Sequence, residues 1–423
     1  IVGLSEMDPR GIGPVTTSMG SNLTPFNRYW FADLAAKLRV LKRKYGFKVV
    51  LGGPASWQFA EKKHREVYGI DHVVDGEIDS AAVDVFQDIL DGDADELIRV
   101  STNSVGEVPL IRGPTVMGMI EAMRGCGRGC SFCSPNLRMK RQFPVERLRK
   151  EAQVNSLYGF THIWLHAEDM LLYGCDKGDM IPNESAITEL FKGIRSIRGV
   201  KRAAVTHWSL AGVVANPHVL SSLAEINKLG PREWTGVQVG LETSSRALVR
   251  RYLRCKTDPF SPEEYPWLIR EGTEIMNRNY YYPSYTLVIG LPEETDDDVD
   301  ETIEMVKRLE RYRCILAPLL YVNYWKQEES MTFEGMTSKQ WELFCICWYH
   351  NLRQVNESVL QATASYSPLI KATALVAAKW GTRRVLNYLR DVTRLRQKQA
   401  QVCGQRPLAS AVCPSGTLSL RNV

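Results

Sequence analysis

No stretch of this 423-residue chain approaches the roughly 18 consecutive apolar residues that a bilayer-spanning helix requires. No charged-then-apolar leader opens it as a secretory signal would. The expected setting is the cytoplasm. Self-similarity at periods of roughly 20 to 50 residues, the mark of solenoids and propellers, is missing as well. With 44% hydrophobic and 24% charged residues, the composition is that of a folded globular protein and excludes the disordered and collagen-like classes. There is no initiator Met: the chain starts on the apolar run Ile1, Val2, Gly3, Leu4, which reads as a buried strand of a processed or truncated sequence. Cysteine is missing from the whole segment ahead of Cys126.

What is present is unevenly spread. The net charge of +5 conceals a basic C-terminal end, where residues 371–423 hold ten Lys and Arg against one acid, Asp391. The ten cysteines are not a disulfide framework in a reducing compartment, and only Cys126, Cys130 and Cys133 have ligand-like spacing.

Strand and helix patterns alternate through residues 1–105, with strand Phe47 to Leu51 running into Gly52-Gly53-Pro54 and a strand near His72 to Val74 into Asp75-Gly76-Glu77. That is the pattern of βαβ units in part of a doubly wound parallel sheet, whose ligands sit at the strands' C-terminal ends. The alternation restarts over residues 112–325 with six apolar strands: one toward Met123, then His162 to His166, Ala203 to Thr206, Thr235 to Leu241, Ser284 to Ile289 and Ile315 to Val322. Six parallel units make a partial barrel, two short of a closed one. Residues 326–400 read as a helical region with a basic helix, interrupted at Pro368 and Gly381, and residues 401–423 as a flexible tail.

The loop Cys126-Gly-Arg-Gly-Cys130-Ser-Phe-Cys133 follows the first strand of the second block, and Gly125, Gly127 and Gly129 free its backbone to fold tightly. Three thiolates hold three corners of a [4Fe–4S] cubane and leave one iron open. Zinc would ask for a fourth ligand nearby, and the next candidate, His162, belongs to another strand. This CxxxCxxC loop, with the aromatic Phe132 before its last Cys, on a six-unit α/β barrel, resembles the radical SAM superfamily. The resemblance implies that the open iron binds S-adenosylmethionine (SAM), that reductive cleavage yields a 5′-deoxyadenosyl radical, and that a ferredoxin or flavodoxin supplies the electron. At the second strand, His166-Ala167-Glu168-Asp169 stands in place of the family's Gly-Gly-Glu segment, which makes Glu168 or Asp169 the expected acceptor of the SAM ammonium. At the fourth, Gly240-Leu241-Glu242-Thr243-Ser244 is similar to the segment whose acid bonds the ribose, with an N-cap network around Ser244-Ser245 as the alternative. Gly290-Leu291-Pro292-Glu293-Glu294-Thr295 is similar to a Gly-Leu-Pro-Gly-Glu-Thr turn of one branch of that superfamily, with Glu293 in place of the second Gly, and is expected to be structural.

The N-terminal segment is similar to the cobalamin-binding, Rossmann-like module of one branch of that superfamily, entered midway. Gly52, Gly53, Gly76 and Glu77 are the contacts so implied, and cobalamin the further cofactor. The Asp-x-His-x-x-Gly motif that ligates cobalt is not found. Other residues have plainer readings. His166, His207 and Trp208 are expected at the barrel mouth, Tyr280-Tyr281-Tyr282 at its rim, and Cys345 and Cys347 inside a buried helix. Lys371 to Lys398 places Val385, Leu386, Leu389, Val392 and Leu395 near one face, either packed on the barrel or presented to a membrane surface. No recognised nucleic-acid-binding fold accompanies the charge.

The resulting expectation is a radical SAM enzyme of the B12-binding branch, archaeal in type, which functionalises an unactivated C–H bond by methylation, cyclisation or C–C bond formation on a small molecule or an isoprenoid membrane lipid. Its rivals are a methylthiotransferase, disfavoured by the lack of a second, N-terminal cysteine triad, and a non-catalytic iron–sulfur scaffold or electron carrier.

Overall fold

The computed structural model describes residues 1–19, 24–102, 104–133, 139–363 and 366–402; most of the expected tail lies outside them. The N-terminal part contains β1 (Val2–Ser5), α1 (Pro14–Met19), α2 (Phe26–Tyr45), β2 (Val49–Gly52), α3 (Lys62–Tyr68), β3 (His72–Asp75), α4 (Ala82–Asp91) and β4 (Leu97–Arg99). Its four strands form one parallel sheet in the order β1-β2-β3-β4. The order advances in one direction only, so among the described residues this sheet has no switch point of the doubly wound kind. The apolar runs reflect burial on both faces. Val49, Leu51 and Val73 pack with Phe31 of α2, while Val50 and Val74 pack with Val85 and Ile89 of α4.

The second block opens with β5 (Met119–Glu121), then a two-residue antiparallel pair, β6 (Met123–Arg124) and β7 (Arg141–Gln142), that brackets the cysteine loop. There follow α5 (Val145–Leu157), β8 (His162–His166), α6 (Glu184–Arg195), β9 (Arg202–Val205), β10 (His207–Trp208), α7 (Leu210–Ala215), α8 (His218–Asn227), β11 (Thr235–Glu242), α9 (Arg246–Tyr252), α10 (Tyr265–Arg278), β12 (Tyr281–Ile289), α11 (Asp296–Leu309) and β13 (Ile315–Leu320). β5 pairs with β8 and β8 with β9; β10, β11, β12 and β13 pair in turn, all parallel. β9 and β10 are separated only by Thr206, whose carbonyl accepts the Gln238 amide at 2.9 Å. The two ladders therefore share one strand path, and six parallel strands succeed one another in chain order, as the sequence pattern predicts. Along β11 and β12 buried residues alternate with half-exposed ones. One face lies under the helices, and the other, carrying Gln238, Gly240, Ser284 and Thr286, stays open.

The C-terminal region is two helices, α12 (Ser338–Ala362) and α13 (Pro368–Val402). Pro368 starts α13, where its missing N–H costs nothing. Gly381, expected to interrupt the helix, does not. Leu389 is buried, Val385 and Val392 pack against the core, and Trp341 Nε1 donates to Thr393 Oγ1 at 3.0 Å. That stripe of the basic helix is thus spent on the body of the protein; the side chain of Leu395 is not described.

The two α/β blocks are joined by ions. Glu77, just past β3, accepts from Arg141 at 2.6 and 2.8 Å and from Arg124 at 2.7 Å, and Arg124 also reaches Asp79 and Glu121. Hydrogen bonding from Arg141, then from Arg124, overcomes the opposing effect of burial and draws the Glu77 carboxyl down to about 2. On the far side Ser18 of α1 accepts the Leu320 amide at 2.7 Å, covering a donor of β13.

Two predictions follow from these contacts. Glu77 contributes stability above about pH 4.5 that is lost as the pH falls toward 2. At neutral pH, Glu77→Gln should cost about 1–2 kcal/mol and speed hydrogen exchange in β3 and β4; unchanged exchange would contradict the clamp. Glu294 is a mirror case, because burial raises its carboxyl to about 7 while Gln340 and the Gly290 amide hydrogen-bond it. Its ionisation opposes folding progressively from about pH 4.5 to 7. Glu294→Gln should therefore gain about 1–3 kcal/mol over the parent at pH 8 and little at pH 4.5, read from urea midpoints.

Candidate active site

The cysteine loop folds through three left-handed glycines, Gly125, Gly127 and Gly129, at φ 70°, 78° and 69°. The Cys133 amide donates to the Cys130 carbonyl at 3.2 Å, and the Ser131 amide to the Tyr252 carbonyl at 3.0 Å. Cys126, Cys130 and Cys133 are half-buried and outside any disulfide. Burial raises the first two above their ordinary pKa, an effect the Arg128 amide opposes at Cys126 and the Lys256 ammonium at Cys130. Phe132 lies against the core. Among the described residues no three His, Cys, Asp or Glu side chains converge as one metal ion would need. A cubane places each thiolate on a different iron, so its ligands stand farther apart than those of a single ion.

Arg128, between the first two cysteines, is 3% exposed. Its Nε donates to Asp169 Oδ2 at 3.0 Å and its Nη2 to Ser209 Oγ at 2.9 Å. Nη1 reaches the carbonyls of Cys255, Lys256 and Asp258 at 3.1 to 3.2 Å. Asp169 also accepts the Ser209 amide. Both of its oxygens are taken, so this residue, a candidate SAM ligand by sequence, is here a structural counter-ion. Its neighbour differs. Glu168 is held by its own amide and that of Gly125, burial raises its pKa, and its Oε2 is buried with no partner.

At the end of β11, Glu242 adopts φ 62° beside a register shift in the ladder. Lys256 Nζ donates to Glu242 Oε1 at 2.7 Å. Burial alone would lower the Lys256 pKa, but Glu242, Tyr265 and Cys130 around it raise it above the ordinary value. A Cβ on Gly240 would stand 2.2 Å from Glu242 Oε1 and 2.5 Å from Lys256 Nζ; only glycine lets the pair fold back over the strand. Ser244 is buried and its amide donates to Thr302 Oγ1 at 3.0 Å. Ser245 caps α9 by accepting the Leu248 amide. The N-cap belongs to Ser245, and Ser244 beside it is 2% exposed.

His166 and His207 meet edge to face with centroids 5.8 Å apart. His166 Nδ1 is 3.1 Å from Thr206 Oγ1. His207 hydrogen-bonds to the Gln238 side chain and the Ala167 backbone, while burial and then His166 lower its pKa, and its Nδ1 is buried without a partner. Beside β5, a cavity of about 310 Å³ is lined by Ile111, Met119, Glu121, Arg147 and His166 among others. Tyr281 is buried and Tyr282 packs on Trp234; Cys345 and Cys347 are core thiols. These match their plainer readings.

The glycines of the N-terminal sheet offer less than the sequence suggests. A Cβ on Gly53 would press on Ser5 Oγ at 2.6 Å and one on Gly76 on the Val100 carbonyl at 2.3 Å, whereas Gly52 meets nothing closer than 3.8 Å. Gly53 and Gly76 admit the chain's own atoms, and the Glu77 carboxylate is committed to Arg124 and Arg141.

Arg128→Leu strands a buried carboxylate and should cost about 3–5 kcal/mol. Arg128→Lys keeps the charge but not the fork, and should lower the iron bound per chain after anaerobic reconstitution. Urea unfolding and iron analysis check both; parent-like values would contradict the role assigned to Arg128.

Residues 120–306 match the model of the radical SAM superfamily. Among curated relatives, the zebrafish (Danio rerio) threonylcarbamoyladenosine tRNA methylthiotransferase is 26% identical over 223 residues, 51% of this chain and 36% of that one. Ribosomal protein uS12 methylthiotransferase RimO of Anaeromyxobacter sp. is 24% identical over 271 residues, 62% of this chain and 54% of its own. The chain thus spans about a third to a half of such relatives. Of solved structures, the cobalamin-dependent SAM radical enzyme OxsB aligns with a TM-score of 0.55 at 12% identity, over 90% of this chain and 63% of that one. The radical SAM methyltransferase TsrM of Kitasatospora setae aligns at 0.53 and 14%, over 75% and 61%; at such identities the likeness is one of fold. Three cysteines on a glycine loop, at the first of six parallel strands, agree with that match: residues 120–306 are similar to a radical SAM domain.

Proposed function

We propose that this chain is a radical SAM enzyme of the cobalamin-associated branch that functionalises an unactivated C–H bond by methylation, cyclisation or C–C bond formation, on a partial (β/α)6 barrel preceded by a Rossmann-like half-domain. The observation that carries the reading is the unpartnered Glu168 Oε2, buried beside the Gly125 amide at the start of the cysteine loop. A buried acceptor without a donor costs stability unless a ligand supplies one, and an ammonium group suits a carboxylate. When bound, a [4Fe–4S] cluster with one open iron supplies the electron that cleaves SAM reductively. Cys126, Cys130 and Cys133 would hold the cluster, Glu168 would receive the SAM amino group, and Glu242, oriented by Lys256 and Thr286, would take the ribose hydroxyls. Arg128 fixes the loop on which all of this depends.

The open face of the sheet bears on the substrate. His166, His207, Gln238, Ser284 and Thr286 give it hydrogen-bonding groups, so a substrate with a polar group beside its reacting C–H suits it better than bare hydrocarbon. An isoprenoid lipid fits with its polar end at the mouth. Cobalamin is supported by the shared fold with OxsB and TsrM, and Gly52 is the position that leaves room for it. An electron-donor protein such as ferredoxin or flavodoxin completes the reaction.

The methylthiotransferase reading is favoured by the curated relatives. The two readings part on a second cluster, which the iron content per chain counts.

After anaerobic reconstitution, dithionite and SAM should yield 5′-deoxyadenosine, and Cys130→Ala should abolish it. A confirmed cluster with no product above background overturns the enzyme reading. Iron content near four per chain supports one cluster, whereas about twice that would favour the methylthiotransferase.

A further inference from the structure

The packing of α13 separates two apolar stripes that the sequence alone runs together. The stripe through Val385, Leu389 and Val392 is covered by the body of the protein. On the opposite side Leu369, Val376 and Trp380 are 73%, 69% and 62% exposed. At 100° per residue these three fall within about 40° of one another, and Leu389 lies roughly opposite them. The same outer side continues into Lys379, Arg383, Arg384, Arg390 and Arg394, all exposed, with Asp391 as its one acid. The Arg384 guanidinium lies 4.6 Å from the centroid of the Trp380 ring.

We propose that this outer face of α13 docks the protein on an anionic lipid bilayer, with Leu369, Val376 and Trp380 entering the headgroup region and the cations meeting lipid phosphates. Charge complementarity names the occupant: five cations against one acid attract an anionic surface, and leucine, valine and tryptophan aligned with them match an interfacial helix. Nucleic acid would use the cations but has no place for exposed aliphatic side chains. An Arg stacked on Trp carries its charge at the apolar boundary, which is where headgroups lie. No helix among the described residues is long and apolar enough to cross a membrane, so the contact is peripheral. The proposal does not rest on the cluster chemistry.

The test is flotation of the full chain with vesicles of phosphatidylcholine alone or mixed equally with phosphatidylglycerol. Binding is expected to the mixed vesicles only, at about 0.1 M salt, and to fall steeply at about 0.5 M as the charges are screened. Trp380→Ser and the pair Arg383→Glu with Arg384→Glu, all outward-facing, should each lower the bound fraction about tenfold without moving the thermal midpoint. Failure to bind the mixed vesicles, or variants that bind like the parent, overturns the proposal. Arg383- and Arg384-dependent binding to duplex DNA or an acidic ferredoxin, without vesicle binding, overturns it in favour of that partner.

Discussion

The buried Arg128–Asp169 pair is the contact on which the site depends. One guanidinium ties the cysteine loop to the ends of three strand paths: Asp169 after β8, Ser209 after β10, and the carbonyls of Cys255, Lys256 and Asp258 beyond β11. A loop with three left-handed glycines has little rigidity of its own. Its position comes from this fork, whose planar donors suit several acceptors at once. The pair also divides labour between adjacent acids in the loop after β8. Asp169 goes inward to Arg128, and Glu168 keeps a free oxygen beside the loop.

A second set of ions relates the half-domain to the barrel. Arg124 and Arg141 flank the cysteine loop on its two short strands, and both reach Glu77. Glu77, expected to greet a corrinoid, therefore joins the two blocks instead, while Ser18 of α1 covers a donor of β13 on the other side.

Much of this was legible in the sequence. The six strands were readable because buried parallel strands are apolar runs set between helical patterns, and the cysteine loop because its spacing is unusual. The roles of Arg128 and Glu77 were not, since each depends on contacts between separate elements far apart in the chain: Asp169 lies 41 and Asp258 130 positions from Arg128, and Arg141 64 from Glu77. Strands of two residues, β6 and β7, are too short to show a period. For α13 the pattern was genuine but ambiguous, because a helix with two apolar stripes does not declare which one the body covers.

The central claim is that Glu168 and Asp169, adjacent in sequence, serve different ends. EPR of the reduced, reconstituted protein with and without SAM tests it most directly. Asp169→Asn should bind less iron because the loop has lost its anchor, whereas Glu168→Gln should keep the parent's iron content and cluster signal but lose the change that SAM produces. A Glu168→Gln protein whose spectrum responds to SAM as the parent's does would contradict the account.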